Sequence, residues 1–184
     1  MPAMENAKIA ILATDGFEKS ELFEPRRQLS DAGAEITIVS LKSGEIKSWD
    51  KDDWGESVTV DKTLDQVSVS DFDALVLPGG QINPDLLRVE EKAVKFVKDF
   101  FESGKTLAAI CHAPWLLIEA DVLKGRKATS YKSIRTDLKN AGAVVQDASV
   151  VCDEALITSR NPDDLDDFCA KIIEEVREGR HERV

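Results

Sequence analysis

Thiols and imidazoles are scarce in this chain, and that scarcity excludes several classes of protein. There are three cysteines, Cys111, Cys152 and Cys169, and two histidines, His112 and His181. An odd, sparse cysteine count does not build a disulfide framework. No two cysteines stand at CxxC spacing, so the ligand pattern of a structural zinc site is missing. The expected setting is a reducing compartment, the cytoplasm, with no metal or cofactor. Long apolar runs are also lacking. Ile9 to Ala13 falls far short of the roughly 20 residues of a membrane span. Met1 to Ala7 has no basic region followed by an apolar stretch, so no signal peptide is expected there. Positive charge is in deficit, with 24 Lys and Arg against 35 Asp and Glu, a net charge of -11. Such a surface repels a nucleic-acid backbone and opposes docking on anionic membranes. Neither GxGxxG nor GxxxxGK[ST] occurs, so dinucleotide and P-loop readings lack their fingerprints.

What remains is a chain of 184 residues, 42% hydrophobic and 32% charged, with the make-up of one globular domain spanning 1–184. Short apolar runs at Lys8 to Ala13, Glu35 to Leu41, Phe72 to Leu77, Thr106 to Ile110 and Ala155 to Ser159 read as strands. Helical spacing lies between them. One helix is expected over Glu18 to Ala32, bent or divided at Pro25. A long one is expected from Asn83-Pro84-Asp85 to about Glu102. A final helix begins at Asn161-Pro162 and runs through Val176. Residues 44–61, with Trp49 and Trp54, suggest a hairpin and a candidate subunit contact. The charged tail from Gly179 is expected to fray, with His181 in water. Strands apolar throughout, alternating with helices, argue for a parallel sheet covered on both faces. Such sheets bind ligands at the carboxyl ends of their strands.

Three polar segments fall at such ends. Cys111 follows an apolar strand and opens a helix, flanked by Ala109 and Ala113. Small neighbours suit the tight turn of a nucleophile elbow. A helix start there would favour a thiolate, the reactive form of the sulfur. The alternative is an inert buried cysteine. His112 is a candidate general base, provided the turn brings its ring to the sulfur. Asp85 is a candidate to orient that imidazole, or else a helix-start acid. Glu18, just after the first strand, is a candidate carboxyl partner for the sulfur, or else a water-exposed helix-start acid. Gly79 and Gly80, in Pro78-Gly79-Gly80, bring backbone N–H groups close to a ligand and are candidate oxyanion donors.

The ordered set of motifs resembles the PfpI family of the class I glutamine-amidotransferase-like superfamily. It comprises Asp15-Gly16-Phe17-Glu18 with Glu21 and Glu24-Pro25, Leu77-Pro78-Gly79-Gly80 with Asn83-Pro84-Asp85-Leu86-Leu87-Arg88, Ala109-Ile110-Cys111-His112-Ala113-Pro114, Gly125 to Tyr131, Asp147 to Val151 and Ser159-Arg160-Asn161-Pro162-Asp163-Asp164-Leu165. The resemblance implies a flavodoxin-like three-layer α/β/α sandwich with a mostly parallel central sheet. It implies a hydrogen bond from Glu18 to Cys111. It also implies a Cys-His-acid set whose acid, at Asp85, comes from a neighbouring copy in a homo-oligomer, a dimer or a hexamer.

Three activities fit these residues. The first is a cysteine-dependent stress-protection enzyme acting on 2-oxoaldehydes or their protein adducts, of the glutathione-independent glyoxalase or deglycase type. The second is an intracellular cysteine peptidase acting on peptides, its triad completed across an interface. The third is a redox sensor or holdase built on an oxidisable thiol.

Overall fold

Alternate residues of the apolar strands serve two different cores, which makes the architecture three-layered. The computed structural model describes residues 4–183. Its strands are β1 (Lys8–Leu12), β2 (Phe17–Glu18), β3 (Glu35–Ser40), β4 (Glu45–Asp50), β5 (Asp53–Thr59), β6 (Lys62–Thr63), β7 (Ala74–Leu77), β8 (Thr106–Ile110), β9 (Lys127–Ala128), β10 (Val144–Val145), β11 (Val151–Asp153) and β12 (Leu156–Ser159). The helices are α1 (Lys19–Asp31), α2 (Ile82–Leu87), α3 (Glu91–Glu102), α4 (Pro114–Glu119), α5 (Arg135–Asn140) and α6 (Leu165–Glu178).

The central sheet runs in the order β11-β12-β8-β7-β1-β3-β6. Its pairs are parallel except β11 with β12. Because side chains alternate across a strand, Ile9 and Ile11 pack with Leu22 and Leu29 of α1 and Phe168 and Ile172 of α6. Ala10 and Leu12 face the other way, toward Val97 and Phe100 of α3 and Leu116 of α4. This is the expected flavodoxin-like α/β/α sandwich. Both faces are covered, which explains strands that are apolar at every position.

The hairpin expected in residues 44–61 is present as β4–β5, and β2 joins it. Trp49 and Trp54 meet edge to face there at 5.4 Å, and Trp54 remains exposed.

Three local expectations are corrected. Helix α1 is not divided at Pro25 but runs through it as one element, with the proline on its buried face. The long helix after Pro78 is two helices, α2 and α3, separated at Arg88 to Glu90. Asn83 does not cap it. The side chain is fully buried, accepts from the Thr14 N–H at 2.8 Å, and donates to the Pro78 and Gly79 carbonyls at 2.9 and 3.2 Å. It therefore ties together the loops leaving β1 and β7. The tail does not fray either. The Arg183 guanidinium donates to the Phe101, Lys105 and Glu154 carbonyls and lies 4.4 Å from the Phe101 ring centre.

Candidate active site

The loops leaving β1, β7 and β8 converge on Cys111. This residue sits at φ +64°, in the left-handed region. A side chain other than glycine's is held there at a cost of about 1–3 kcal/mol. The backbone is fixed from both sides. The Cys111 N–H donates to Ser159 O at 3.0 Å, and Cys111 O accepts from the Tyr131 N–H at 2.9 Å. The expected elbow is thus formed, with Pro114 starting α4 directly behind it.

Cys111 is only 6% exposed. His112 Nδ1 lies 3.2 Å from Sγ, so the adjacent ring does reach the thiol. The ring is held on three sides. Tyr131 stacks on it at 4.8 Å, Trp115 meets it edge-on at 5.1 Å, and the Ser133 hydroxyl lies 3.4 Å from Nε2. Burial lowers the pKa of the imidazole, which favours the neutral ring that can accept a proton.

The carboxyl beside the sulfur is Glu21, and this corrects the expectation for Glu18. Glu18 is the N-cap of α1. Its Oε2 accepts from the Glu21 N–H at 2.8 Å and from the Ser20 hydroxyl at 2.6 Å. Those local bonds hold its carboxylate at the helix end. Glu21 lies one turn further on and is fully buried. Its Oε1 accepts from the Gly79 N–H at 3.1 Å, while Oε2 has no hydrogen-bond partner of good geometry among the described residues. Burial raises the Glu21 pKa well above the ordinary carboxyl range, and the charge of Glu18 raises it further. The buried carboxyl is therefore favoured in its protonated form, next to a thiol.

Burial likewise raises the Cys111 pKa, and negative charge on Glu21 adds to the effect. The Gly80 and His112 backbone N–H groups act in the opposite direction, because both bear on the sulfur. A neutral Glu21 removes the charge repulsion and leaves those two donors. The lowered thiol pKa expected from a helix start is thus not what the fold provides. Ionisation of this sulfur depends on the protonation of its neighbour.

Both glycines of the turn are required by packing. A Cβ on Gly79 would stand 2.6 Å from Glu21 Oε1, 2.6 Å from Ile110 O and 2.7 Å from Cys111 Cβ. Gly80 is at φ +80°, and a Cβ there would stand 2.6 Å from Gly16 O. The two differ as donors. The Gly79 N–H is engaged by Glu21, the Gly80 N–H bears on both the Glu21 carboxyl and the sulfur, and the His112 N–H bears on the sulfur. Asp85 lies on the exposed side of α2. Within this chain His112 turns its ring nitrogens to Cys111 and Ser133 rather than to Asp85.

An α/β sandwich with a strained cysteine at a strand-to-helix elbow, a buried carboxyl and an adjacent imidazole defines a cysteine-nucleophile class. The DJ-1/PfpI family model matches residues 7–175, and the chain belongs to that family. Among its relatives is Protein/nucleic acid deglycase 2 of Escherichia coli, 49% identical over 163 residues, covering 88% of this chain and 92% of that protein. Another is General stress protein 18 of Bacillus subtilis, 48% identical over 162 residues, covering 88% and 92%. The crystal structure of Drosophila melanogaster DJ-1beta superposes with a TM-score of 0.82 at 31% identity, covering 94% of this chain and 95% of that one. Among the described residues no helix is long and apolar enough to cross a membrane.

Proposed function

We propose that this chain is a cysteine-dependent enzyme acting on small 2-oxoaldehydes or their early adducts on other molecules, of the glyoxalase or deglycase type. The observation that carries this reading is the 6% exposure of Cys111. A cysteine so enclosed admits a two- or three-carbon carbonyl group, free or at the tip of a side-chain adduct, far more readily than a polypeptide backbone.

In this reading His112 takes the thiol proton at Nδ1, and the thiolate adds to the aldehyde carbon. The product is a hemithioacetal whose oxygen receives a proton. The C1 hydrogen then leaves as a proton to a base of the site, and a proton returns at C2. The result is a thioester of the 2-hydroxy acid. Water hydrolyses it, releasing the acid and restoring the thiol. Methylglyoxal and water thereby give lactate, with no external oxidant. Glu21, protonated, donates toward the sulfur or the developing oxygen, and the Gly80 and His112 N–H groups support that negative charge.

A peptidase would need a carboxylate on His112, where this chain offers the Ser133 hydroxyl. That role falls to Asp85 of a second copy in a homo-oligomer. The test of the main reading is lactate release from methylglyoxal by the purified protein and by Cys111→Ala. Release by the parent alone supports it. Equal release by both proteins rejects it.

A further inference from the structure

Far from Cys111, the last turn of α6 and the tail bring together three side chains that share no chemistry with the active site. Glu175 and Glu178 are spaced i, i+3 on α6. Gly179, at φ +93°, ends the helix and turns the chain back. The His181 N–H then donates to Gly104 O at 2.9 Å, and Arg180 Nε donates to Ser103 O at 2.9 Å. A Cβ on Gly104 would stand 2.2 Å from His181 O, so this close approach requires glycine. The position of His181 is thus fixed by backbone contacts rather than by its own ring.

The ring faces the two carboxylates. His181 Nε2 lies 3.2 Å from Glu175 Oε2 and 3.7 Å from Glu178 Oε2. Neither Nε2 nor Glu175 Oε2 reaches a hydrogen bond of good geometry, although both atoms are buried. The Glu175 side chain is 8% exposed, so this oxygen is withdrawn from bulk water, with the His181 ring as its near polar neighbour and the Cys152 thiol against the same carboxyl. Burial of such a group is costly without a partner. All three ligand atoms lie within 4.8 Å of one another. Around a tetrahedral ion with bonds of about 2.0–2.2 Å, neighbouring ligand atoms stand roughly 3.3–3.6 Å apart. The two separations from His181 Nε2, 3.2 and 3.7 Å, are close to that spacing.

We propose that Glu175, Glu178 and His181 form a site for a first-row divalent cation of the Zn²⁺ class. One imidazole nitrogen with two carboxylate oxygens suits a borderline metal, whereas Mg²⁺ and Ca²⁺ favour all-oxygen sets. Two carboxylates neutralise the ion, and half-exposed Glu178 leaves a side open to water. The site lies beyond the start of β8, while Cys111 follows the end of that strand. Five residues of strand, about 16 Å, separate them. Its role is to clip the tail to α6 and to the turn before β8. Sequence spacing alone did not suggest it, because the ligands contain no cysteine and span a helix end.

The test is calorimetric titration of the full chain with Zn²⁺, using Cys111→Ser so that the active-site thiol contributes nothing. The expected result is one Zn²⁺ per chain, no comparable uptake of Mg²⁺, and affinity reduced at least tenfold by His181→Ala and by Glu178→Gln. Both substitutions lie at the chain's surface end, and their metal-free melting curves verify folding. Absence of Zn²⁺ binding, or equal affinity in the parent and both variants, overturns the proposal.

Discussion

Glu21 and Cys111 face each other across Gly79: negative charge on Glu21 raises the thiol pKa, while the hydrogen bond from the neutral thiol acts to lower that of the carboxyl against the larger effect of burial. The carboxyl is the more buried partner and stays protonated more readily than a surface glutamate. The pair therefore holds at most one negative charge comfortably, and the proposed chemistry requires that charge to reside on sulfur.

Exchange of the two nearby glutamates separates their roles. Glu21→Gln is expected to lower kcat/KM for methylglyoxal by about 100-fold or more, the usual contribution of a positioned acid or base. Glu18→Ala removes an N-cap and is expected to cost about 1 kcal/mol of stability, with kcat/KM changed only a few-fold. Steady-state kinetics and urea melts on both variants check this. A larger kinetic loss at Glu18 than at Glu21 would reverse the assignment.

The raised Glu21 pKa also makes stability depend on pH. A carboxyl whose pKa is higher in the folded state binds its proton more tightly there. Between the ordinary carboxyl pKa and the folded value, the native state carries a proton that the unfolded chain has lost. Stability from this group is therefore present at low pH and declines as pH rises through that window. Glu21→Gln removes the decline, because the amide stays neutral. The variant's urea midpoint, relative to the parent's, is expected to climb from pH 5 to pH 8. A constant difference across that range would contradict the raised pKa.

Asn83→Ala tests the tie between the strand-end loops. It leaves the buried Thr14 N–H and the Pro78 and Gly79 carbonyls without their partner. The expected loss is at least about 2 kcal/mol, read as a lower urea midpoint. A midpoint within error of the parent would show that the three groups find other partners.

Gly79→Ala is expected to destabilise by about 1–3 kcal/mol through overpacking. The atoms in its way belong to Glu21, Ile110 and Cys111, so methylglyoxal turnover is expected to fall in the protein that remains folded. Melting temperature and activity, measured on the same preparation, separate the two effects.

Much of this was legible in the sequence because it is local. Strands apolar at every position announced a covered sheet, and Ala109 to Ala113 announced an elbow. Glu21 belongs to the motif set that carries the resemblance, yet its place beside the sulfur is not read from the motif, although a signal exists. Glu21, Pro25 and Leu29 recur every four residues on the buried face of α1, and a carboxyl on an apolar stripe is out of place unless it has work to do. Glu18 stands beside the strand end, where sequence position suggests a partner for the sulfur but the local bonds are those of a cap. The division between α2 and α3 was hidden because Asn83-Pro84 has the chemistry of a helix start, while its actual bonds run to Thr14 and the Pro78-Gly79 turn. The tail was illegible for a similar reason. Arg183 meets carbonyls 29 to 82 residues away, and no local pattern encodes such partners.

The conformation at position 111 sets durability against usefulness. Glycine would occupy that backbone more comfortably than cysteine, yet it would delete the sulfur. A screen that rewards heat resistance alone is drawn toward losing that thiol, and under the proposed function only a screen that also demands turnover will keep it.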